Sequence, residues 1–299
     1  MLNFREVTLA DKPFIDRIYR SADLNNSHFC FSTLYLWCHS YQLYIAEIGD
    51  TFATMSTLND RITYSCPAYC DNFEYAINCI ETDITERGAE KALYNIPAEY
   101  VPILKRLFPG KYTFVPDRDN FDYVYLAQRL STLAGKKLHA KRNHIHRFEE
   151  QNDWSFEEIN DNNIAECAEM AKKWIDLNTE SRNMDFTREH DVITCMFRDY
   201  NSLSLDGAIL RSSGNIIGFT VGEMLKKDTF LTHFEKAYSE IQGAYAMLNR
   251  EFARHILQKY PDTVYINREE DMGIENLRKA KLSYYPDFLS EKYTAFWGD

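Results

Sequence analysis

The order of apolar and polar positions repeats once along the chain. Residues 4–11 (FREVTLAD) and 156–163 (FEEINDNN) both alternate apolar and polar residues before a polar end, and both precede residues with helical spacing. Alternation with a period of two predicts a half-buried strand, and the spacing that follows predicts a helix. Residues 43–56 and 205–223 each predict a hairpin, because a glycine-containing turn separates two strand-like runs.

A third match extends the repeat. Residues 92–117 and 263–287 share the pattern of strand, polar turn, helix, strand and a final Pro-Asp, with Tyr94 corresponding to Tyr265. We therefore predict an α/β fold with mixed sheets, built from two copies of one unit. The predicted parts are an N-terminal unit, a basic connecting helix and a C-terminal unit, at residues 1–132, 133–151 and 152–299.

The composition is that of an ordinary globular protein with an acidic net charge. The 299 residues are 45% hydrophobic and 26% charged, which excludes disordered and collagen-like chains. The 34 Lys and Arg against 45 Asp and Glu give a formal net charge of −11. An anionic surface repels nucleic-acid phosphates and acidic lipids, so such a partner would require a local basic patch.

The sequence predicts a cytoplasmic protein. The sequence contains no run of about 18 apolar residues that could span a membrane, so no integral membrane contact is expected. The N-terminal residues lack the apolar core of a signal peptide. The seven cysteines are odd in number and unevenly spaced, and we expect them to be reduced thiols. Cys66 and Cys70 have no second Cys or His pair at zinc-finger spacing, so no metal site is predicted.

A basic segment occupies the connector. Residues 136–147 contain five Lys or Arg residues, three histidines and no acid. On a helix, Lys141 and Arg142 fall on the apolar face that includes Leu138, so we expect them to point toward the protein. A partly buried cation requires a carboxylate or an anionic ligand such as phosphate. Both interpretations stay open: internal salt bridges that join the units, or a phosphate contact for a donor or an anionic acceptor.

The element order and two segments resemble a known family. The order resembles the GNAT acyltransferase fold, and Arg278 to Tyr284 are similar to the tail of its last helix. Residues 133–148 and 267–286 resemble an uncharacterised bacterial family related to the catalytic domain of phosphatidylglycerol lysyltransferases. Those are tandem GNAT proteins, distantly similar to Fem-type aminoacyltransferases, and the resemblance covers nearly the whole chain. It implies transfer of an acyl or aminoacyl group.

Two predicted strands of the second unit carry candidate bases. The pattern places Glu223 at the end of an apolar row, and it places His233 and Glu235 on one face of the next strand. GNAT enzymes commonly deprotonate the acceptor with a carboxylate or water from these strands, so the resemblance implies these three as catalytic candidates. The alternative is that they are ordinary exposed strand residues. Lys236, on the opposite face, is a candidate donor-binding residue.

The next segment is similar to a phosphate-binding loop. Acetyl-CoA enzymes of this superfamily hold the pyrophosphate on a Gln/Arg-x-x-Gly-x-Gly/Ala loop at a helix N-terminus. Gln242, Gly243 and Ala244 have that character, whereas Glu240 and Tyr245 depart from it. The resemblance makes residues 242–245 candidates for binding acyl-CoA; the alternative is a plain glycine at a helix start.

The last helix departs from the acetyl-CoA pattern. Lys279 stands where a tyrosine often protonates the leaving thiolate, and Lys281 lies two residues on. Lysines better suit an ester leaving group or a phosphate, as aminoacyl-tRNA would present. Asn267 is a candidate for hydrogen bonding to the donor's peptide-like portion. Asp271 is a candidate either for attracting a cationic acceptor amine or for capping the following helix.

The leading hypothesis is a transferase with its donor site in the second unit. The donor is acyl-CoA, slightly favoured, or aminoacyl-tRNA, and the acceptor is a small molecule with an amine or hydroxyl group, bound in a groove between the units. The first unit is expected to be a degenerate copy. A second hypothesis is a non-catalytic CoA- or nucleotide-binding module that kept the fold and lost the chemistry. A third is a lipid-modifying enzyme that uses residues 136–147 at a membrane surface.

Overall fold

The chain forms two mixed β-sheets. The structure is a computed structural model that describes residues 1–179 and 186–298, without the side chains of residues 178, 179, 186 and 187. The strands up to residue 126 are β1 (Arg5–Glu6), β2 (Leu43–Ile48), β3 (Thr51–Ser56), β4 (Thr63–Ser65), β5 (Ala92–Pro97), β6 (Thr113–Pro116) and β7 (Asp122–Leu126). The helices up to residue 151 are α1 (Lys12–Ala22), α2 (Phe31–Trp37), α3 (Phe73–Glu86), α4 (Val101–Leu107), α5 (Ala127–Thr132) and α6 (His139–Gln151).

The elements after residue 151 follow a similar order. The strands are β8 (Trp154–Glu158), β9 (Asp206–Ser212), β10 (Asn215–Lys226), β11 (Thr229–Ala237), β12 (Tyr265–Asn267), β13 (Phe288–Ser290) and β14 (Lys292–Phe296). The helices are α7 (Ile164–Thr179), α8 (Phe186–Arg198), α9 (Tyr200–Leu203), α10 (Ala244–Lys259) and α11 (Glu275–Leu282).

The strand order confirms the predicted α/β repeat. One sheet has the order β1-β2-β3-β4-β5-β14-β6, and the other has the order β8-β9-β10-β11-β12-β7-β13. The matched residues Tyr94 and Tyr265 lie in β5 and β12, which occupy the same place in their sheets. Both sheets are mixed, because β4 pairs with β5 and β11 pairs with β12 in parallel while the other recorded pairs are antiparallel.

The sixth place in each sheet is filled by a strand from elsewhere in the chain. β14 lies between β5 and β6, and β7 lies between β12 and β13. The compact units therefore differ from the continuous predicted ranges 1–132, 133–151 and 152–299. Unit 1 comprises residues 1–122, 270–278 and 289–299, and unit 2 comprises residues 123–269 and 279–288. Sequence periodicity identifies a strand but not its sheet, because pairing partners are non-local.

In unit 2, α10 packs against β10 and β11 through an apolar stripe. Met247, Leu248, Phe252 and Ile256 are buried, and the ring of Phe252 meets that of Phe230 edge to face at 5.5 Å. Burying one such side chain contributes roughly 1.5–3 kcal/mol. This stripe holds α10 against β10 and β11, the two strands that carry Glu223 and His233.

None of the helices in the described ranges is long and apolar enough to cross a membrane. All seven cysteines are free thiols.

Candidate active site in unit 2

A β-bulge interrupts the pairing of β10 with β11. Val221 lies opposite Phe234, but the next residue, Gly222, lies opposite Thr232. His233 is therefore an extra residue in β11 with no partner in β10. Such a bulge bends the strand and redirects neighbouring side chains, and bulges are common next to active sites.

The bulge corrects the predicted arrangement of the candidate bases. His233 contacts Glu223, whereas Glu235 pairs in register with Thr220 and so lies on the opposite face of the sheet. The prediction that His233 and Glu235 share a face is wrong, because the extra residue shifts the alternation of β11 by one position.

His233 lies between two carboxylates. Its Nε2 is 3.1 Å from Glu223 Oε1, and its Nδ1 is 2.9 Å from Glu269 Oε1. The side chains of His233, Glu223 and Glu269 are 3%, 9% and 20% exposed. With both carboxylates ionised, a proton on each ring nitrogen satisfies both contacts. The three groups form a chain able to take up a proton, and Glu269 is its most accessible member.

The backbone at Glu269 is held in an uncommon conformation. Its φ of 56° lies in the left-handed region, which a residue with a Cβ rarely adopts. The buried Asn267 side chain accepts a hydrogen bond from the Glu269 N–H at 2.8 Å, which favours this turn. Asn267 thus positions the Glu269 carboxylate, and such local strain clusters at functional sites.

β12 ends at the level of this cluster, which leaves an opening in the sheet beside the rest of β11. The recorded pairing of β11 with β12 covers only Thr229 to Leu231, although β11 continues to Ala237. Side-chain bridges cross the opening on both faces: the His233–Glu269 contact on one, and a hydrogen bond from Arg268 Nη2 to Glu235 Oε1 of 2.8 Å on the other. The opening therefore carries a proton-accepting cluster on one face and a guanidinium on the other.

Glu235 orients this guanidinium. Its second oxygen accepts a hydrogen bond from Asn249 Nδ2 at 3.0 Å, so both oxygens already have donors. A carboxylate occupied in this way is poorly placed to act as a base. The guanidinium of Arg268 lies 4.9 Å from the centroid of the Tyr284 ring, in the range of a cation–π contact.

Lys141 lies beside the same tyrosine, so its side chain points toward the protein, as helical spacing predicts. Its ammonium is 4.1 Å from the Tyr284 ring centroid. Burial, together with the positive charge of Arg268, lowers the pKa of Lys141 to about 8. Arg142 instead donates hydrogen bonds to the carbonyl oxygens of Leu133 and Gly135. Neither cation pairs with a carboxylate in the part of the chain that is described, so the predicted internal salt bridges are not observed there.

Gly243 has a packing role. Its φ is +90°, and an added Cβ would lie 2.4 Å from the carbonyl oxygen of His144 and 3.0 Å from Cβ of Phe148. α6 therefore crosses the start of α10 so closely that only glycine fits. This contact accounts for the glycine without a phosphate. Of its neighbours in the predicted CoA loop, Gln242 is exposed, Ala244 is buried and Tyr245 is half-buried.

The remaining candidates lie apart from the opening or support it. Lys236 Nζ donates to Glu189 Oε1 at 2.6 Å and lies over the Trp174 ring, in an ion pair with α8. Lys279 is exposed in the last turn of α11, while the buried Lys281 donates to the carbonyl oxygen of Arg268.

Asp271 belongs to unit 1. Its buried carboxylate pairs with Arg278 at 2.7 Å and also accepts a hydrogen bond from the N–H of Gly273. Of the two predicted roles for Asp271, organising the turn before α11 is therefore the one its contacts support.

Sequence reasoning missed Arg268 and Tyr284 as site residues, and it identified Glu269 only as part of an acidic turn with Asp271, not as a candidate base. The available signal was position, since Arg268 and Glu269 directly follow β12 beside the candidate strand β11. All three lie within the 267–286 segment that carries the family resemblance.

Several solved structures share this fold. A conserved protein of unknown function from Bacteroides thetaiotaomicron is 34% identical, with a TM-score of 0.92 over 100% of both chains. The C-terminal domain of a putative lysylphosphatidylglycerol synthetase from Agrobacterium fabrum is 14% identical, with a TM-score of 0.69 over 98% of this chain and 93% of that one. FemX is 7% identical, with a TM-score of 0.61 over 99% and 98% of the two chains.

The family follows from the sequence itself. Residues 19–296 match the family described as phosphatidylglycerol lysyltransferase, C-terminal, which takes in both units and the whole candidate site. The chain therefore belongs to the phosphatidylglycerol lysyltransferase C-terminal domain family.

Proposed function

We propose that unit 2 is an aminoacyltransferase centre that moves an aminoacyl group from an ester donor to a hydroxyl or amine acceptor. The observation that carries this proposal is the chain Glu269–His233–Glu223 beside the end of β12. A carboxylate backed by a buried imidazole and a second carboxylate can accept the acceptor's proton and return it to the leaving group.

The reaction balances with these groups. Glu269 takes the proton of the acceptor hydroxyl or amine as the acceptor atom attacks the donor's carbonyl carbon. A new ester or amide bond forms, the ester bond to the donor breaks, and the departing oxygen recovers the proton. His233 holds the Glu269 carboxylate in place and, with Glu223, stabilises the protonated cluster.

The donor we propose is aminoacyl-tRNA rather than acyl-CoA. Packing of α6 accounts for Gly243, so the glycine no longer argues for a pyrophosphate loop. The exposed cations Lys136, Lys137 and Arg147 supply the local basic patch that an acidic chain requires to bind RNA. The family description names a lysyl group and phosphatidylglycerol, which makes these the first donor group and acceptor to test.

The test is a transfer assay with lysyl-tRNA carrying labelled lysine and vesicles containing phosphatidylglycerol. We expect label in the lipid, and a loss of roughly 10²–10⁴-fold in Glu269→Gln and His233→Gln. Glu169→Gln, an exposed carboxylate on α7, is the matched control and retains full activity. Transfer that survives both substitutions would overturn the assignment of the base.

A parallel reaction with acetyl-CoA and the same acceptors separates the alternatives. Acetyl transfer without lysyl transfer would support acyl-CoA as donor. Tight binding of CoA without any transfer would support the non-catalytic binding module.

A further inference from the structure

Two cations in unit 2 keep donors that the described protein groups do not use. Arg268 Nη2 donates a hydrogen bond to Glu235, but Arg268 Nη1 is buried without a hydrogen-bond partner in residues 1–179 and 186–298. The ammonium of Lys141 lies over the Tyr284 ring and makes no hydrogen bond or ion pair over the same ranges. Buried donors are nearly always satisfied, so the unused Nη1 of Arg268 indicates a missing acceptor, and the half-buried Lys141 offers a second donor beside the same ring.

The charges point to an anion. Lys141 and Arg268 lie within cation–π distance of one ring, and among the described residues the carboxylate whose charge acts on Lys141 is that of Glu235. Since Glu235 already pairs with Arg268, one positive charge in this pair of cations is left without compensation. Lys281, which donates to the carbonyl oxygen of Arg268, adds another positive charge nearby. A partly desolvated cation is stabilised by an anionic ligand.

We propose that Lys141 and Arg268 form a binding site for a phosphate group. A planar carboxylate favours the parallel fork of a guanidinium, and Glu235 already engages one arm of that fork in Arg268. The donors that remain, one guanidinium nitrogen and one ammonium, come from two different elements of unit 2. That arrangement suits a tetrahedral oxyanion, whose oxygens diverge.

This site deepens the proposed function and rests on it for the identity of the natural ligand. Both proposed substrates carry phosphodiesters, and the bound group would lie across the sheet opening from Glu269. Binding itself can be measured without turnover. Phosphate binding without transfer would contradict the proposed function but support the site. Transfer that is unchanged by substitution of Lys141 would contradict the site but support the function.

The test is calorimetric titration of the full chain with inorganic phosphate and with diethyl phosphate, at an ionic strength held constant with sodium chloride. We expect saturable binding that weakens at least about tenfold in Lys141→Met. That variant should fold, because Lys141 makes no hydrogen bond in the described ranges. Lys173→Met, an exposed cation on α7, is the matched control and binds like wild type. Arg268→Lys, which keeps the charge, is expected to retain part of the affinity.

The two probes distinguish the source of the phosphate. Tighter binding of diethyl phosphate identifies a diester of a larger substrate, and tighter binding of inorganic phosphate identifies a free phosphate or monoester. Binding of neither probe, or equal binding by wild type and Lys141→Met, would overturn the site.

Proton uptake supplies a second readout. The charged groups that act on Lys141 are Arg268 and Glu235, and its pKa of about 8 leaves much of the amine neutral at pH 8.5. A bound anion favours the ammonium, so titration with diethyl phosphate in two buffers of different ionisation enthalpy should show net proton uptake. Lys141→Met should lose that uptake; uptake that persists in the variant would also overturn the site.

Discussion

Two charged clusters, one in each unit, differ in how completely their groups are paired. In unit 1, Lys292 and Asp122 are fully buried, with Lys292 Nζ 2.6 Å from Asp122 Oδ1, 3.0 Å from Ser27 Oγ and 3.5 Å from Glu270 Oε2. In unit 2, Arg268 and Lys141 keep unused donors within the described residues. The first cluster joins the exchanged strand β14 to its unit, whereas the second is prepared for a ligand. The paired charges of unit 1 therefore have a structural role, and the unused donors of unit 2 are available to a ligand.

The largest expected effect comes from breaking the cluster of unit 1 in which Lys292 and Asp122 are fully paired, here called the complete cluster. Lys292→Met leaves Asp122 buried without its cation, which we expect to lower the free energy of unfolding by about 3–5 kcal/mol. Urea denaturation measures this loss. The double variant Lys292→Met/Asp122→Asn should recover part of it, and a single-variant loss below about 1 kcal/mol would contradict a structural role for the cluster.

A second prediction concerns how Lys141 is placed. Gly243→Ala puts a Cβ against α6, the helix that carries Lys141, and also strains a positive φ. We expect a loss of about 3 kcal/mol of stability, from overpacking and backbone strain together. Gly214→Ala is the matched control in unit 2, because its φ is +80° but the space around it is open, and it should lose only about 1 kcal/mol. Equal losses in thermal denaturation would exclude the close helix contact.

The third prediction uses pH to test burial beside the complete cluster. Burial, and secondarily the charge of Lys292, lowers the pKa of His28 to about 3. Below the unfolded value near 6.5 the unfolded chain binds a proton that the folded chain does not, so stability falls as pH decreases. We expect His28 to contribute a slope of about 1.4 kcal/mol per pH unit between pH 6 and 4.

His28→Gln should remove that contribution in denaturant titrations at each pH. His39→Gln, at an exposed position, is the control and should follow wild type. A pH dependence identical in all three proteins would show that His28 is not shielded from water.

The smallest effect is expected from Lys141, in the opposite pH range. Its folded pKa of about 8 lies below the unfolded value of about 10.4, so the unfolded chain binds more protons between these values and stability rises with pH. Lys141→Met should lack this rise, which partial exposure limits to about 1 kcal/mol between pH 8 and 10. Denaturant midpoints across that range measure it. A variant that is clearly less stable than wild type at pH 7 would indicate a structural role for Lys141.

Local sequence patterns were sufficient for much of the fold. Alternation and turn residues identified both copies of the unit, and the Tyr94–Tyr265 match aligned β5 with β12. The exchange of β7 and β14 was not predictable, because these five-residue strands have the same alternation whichever sheet they join. The burial of Lys292 at the start of β14 is explained by partners that are distant in sequence, chiefly the carboxylate of Asp122.

The candidate site was predictable in part. Helical spacing placed Lys141 toward the protein, and strand patterns identified Glu223 and His233. The bulge at His233 leaves no local signature, so the position of Glu235 on the opposite face was missed. The role of Gly243 was also missed, since a close approach of two helices and a phosphate loop both require a residue without a Cβ.

The most direct test of the comparison is the stabilisation that saturating phosphate gives to wild type, Lys292→Met and Lys141→Met in urea denaturation. A ligand that binds only the folded state raises the free energy of unfolding by RT ln(1 + [L]/Kd). The difference in pairing predicts equal gains for wild type and Lys292→Met, and a gain smaller by at least about 1.4 kcal/mol for Lys141→Met, which corresponds to tenfold weaker binding. An equal gain in Lys141→Met would contradict it, because the unused donors of unit 2 would then not be the phosphate site.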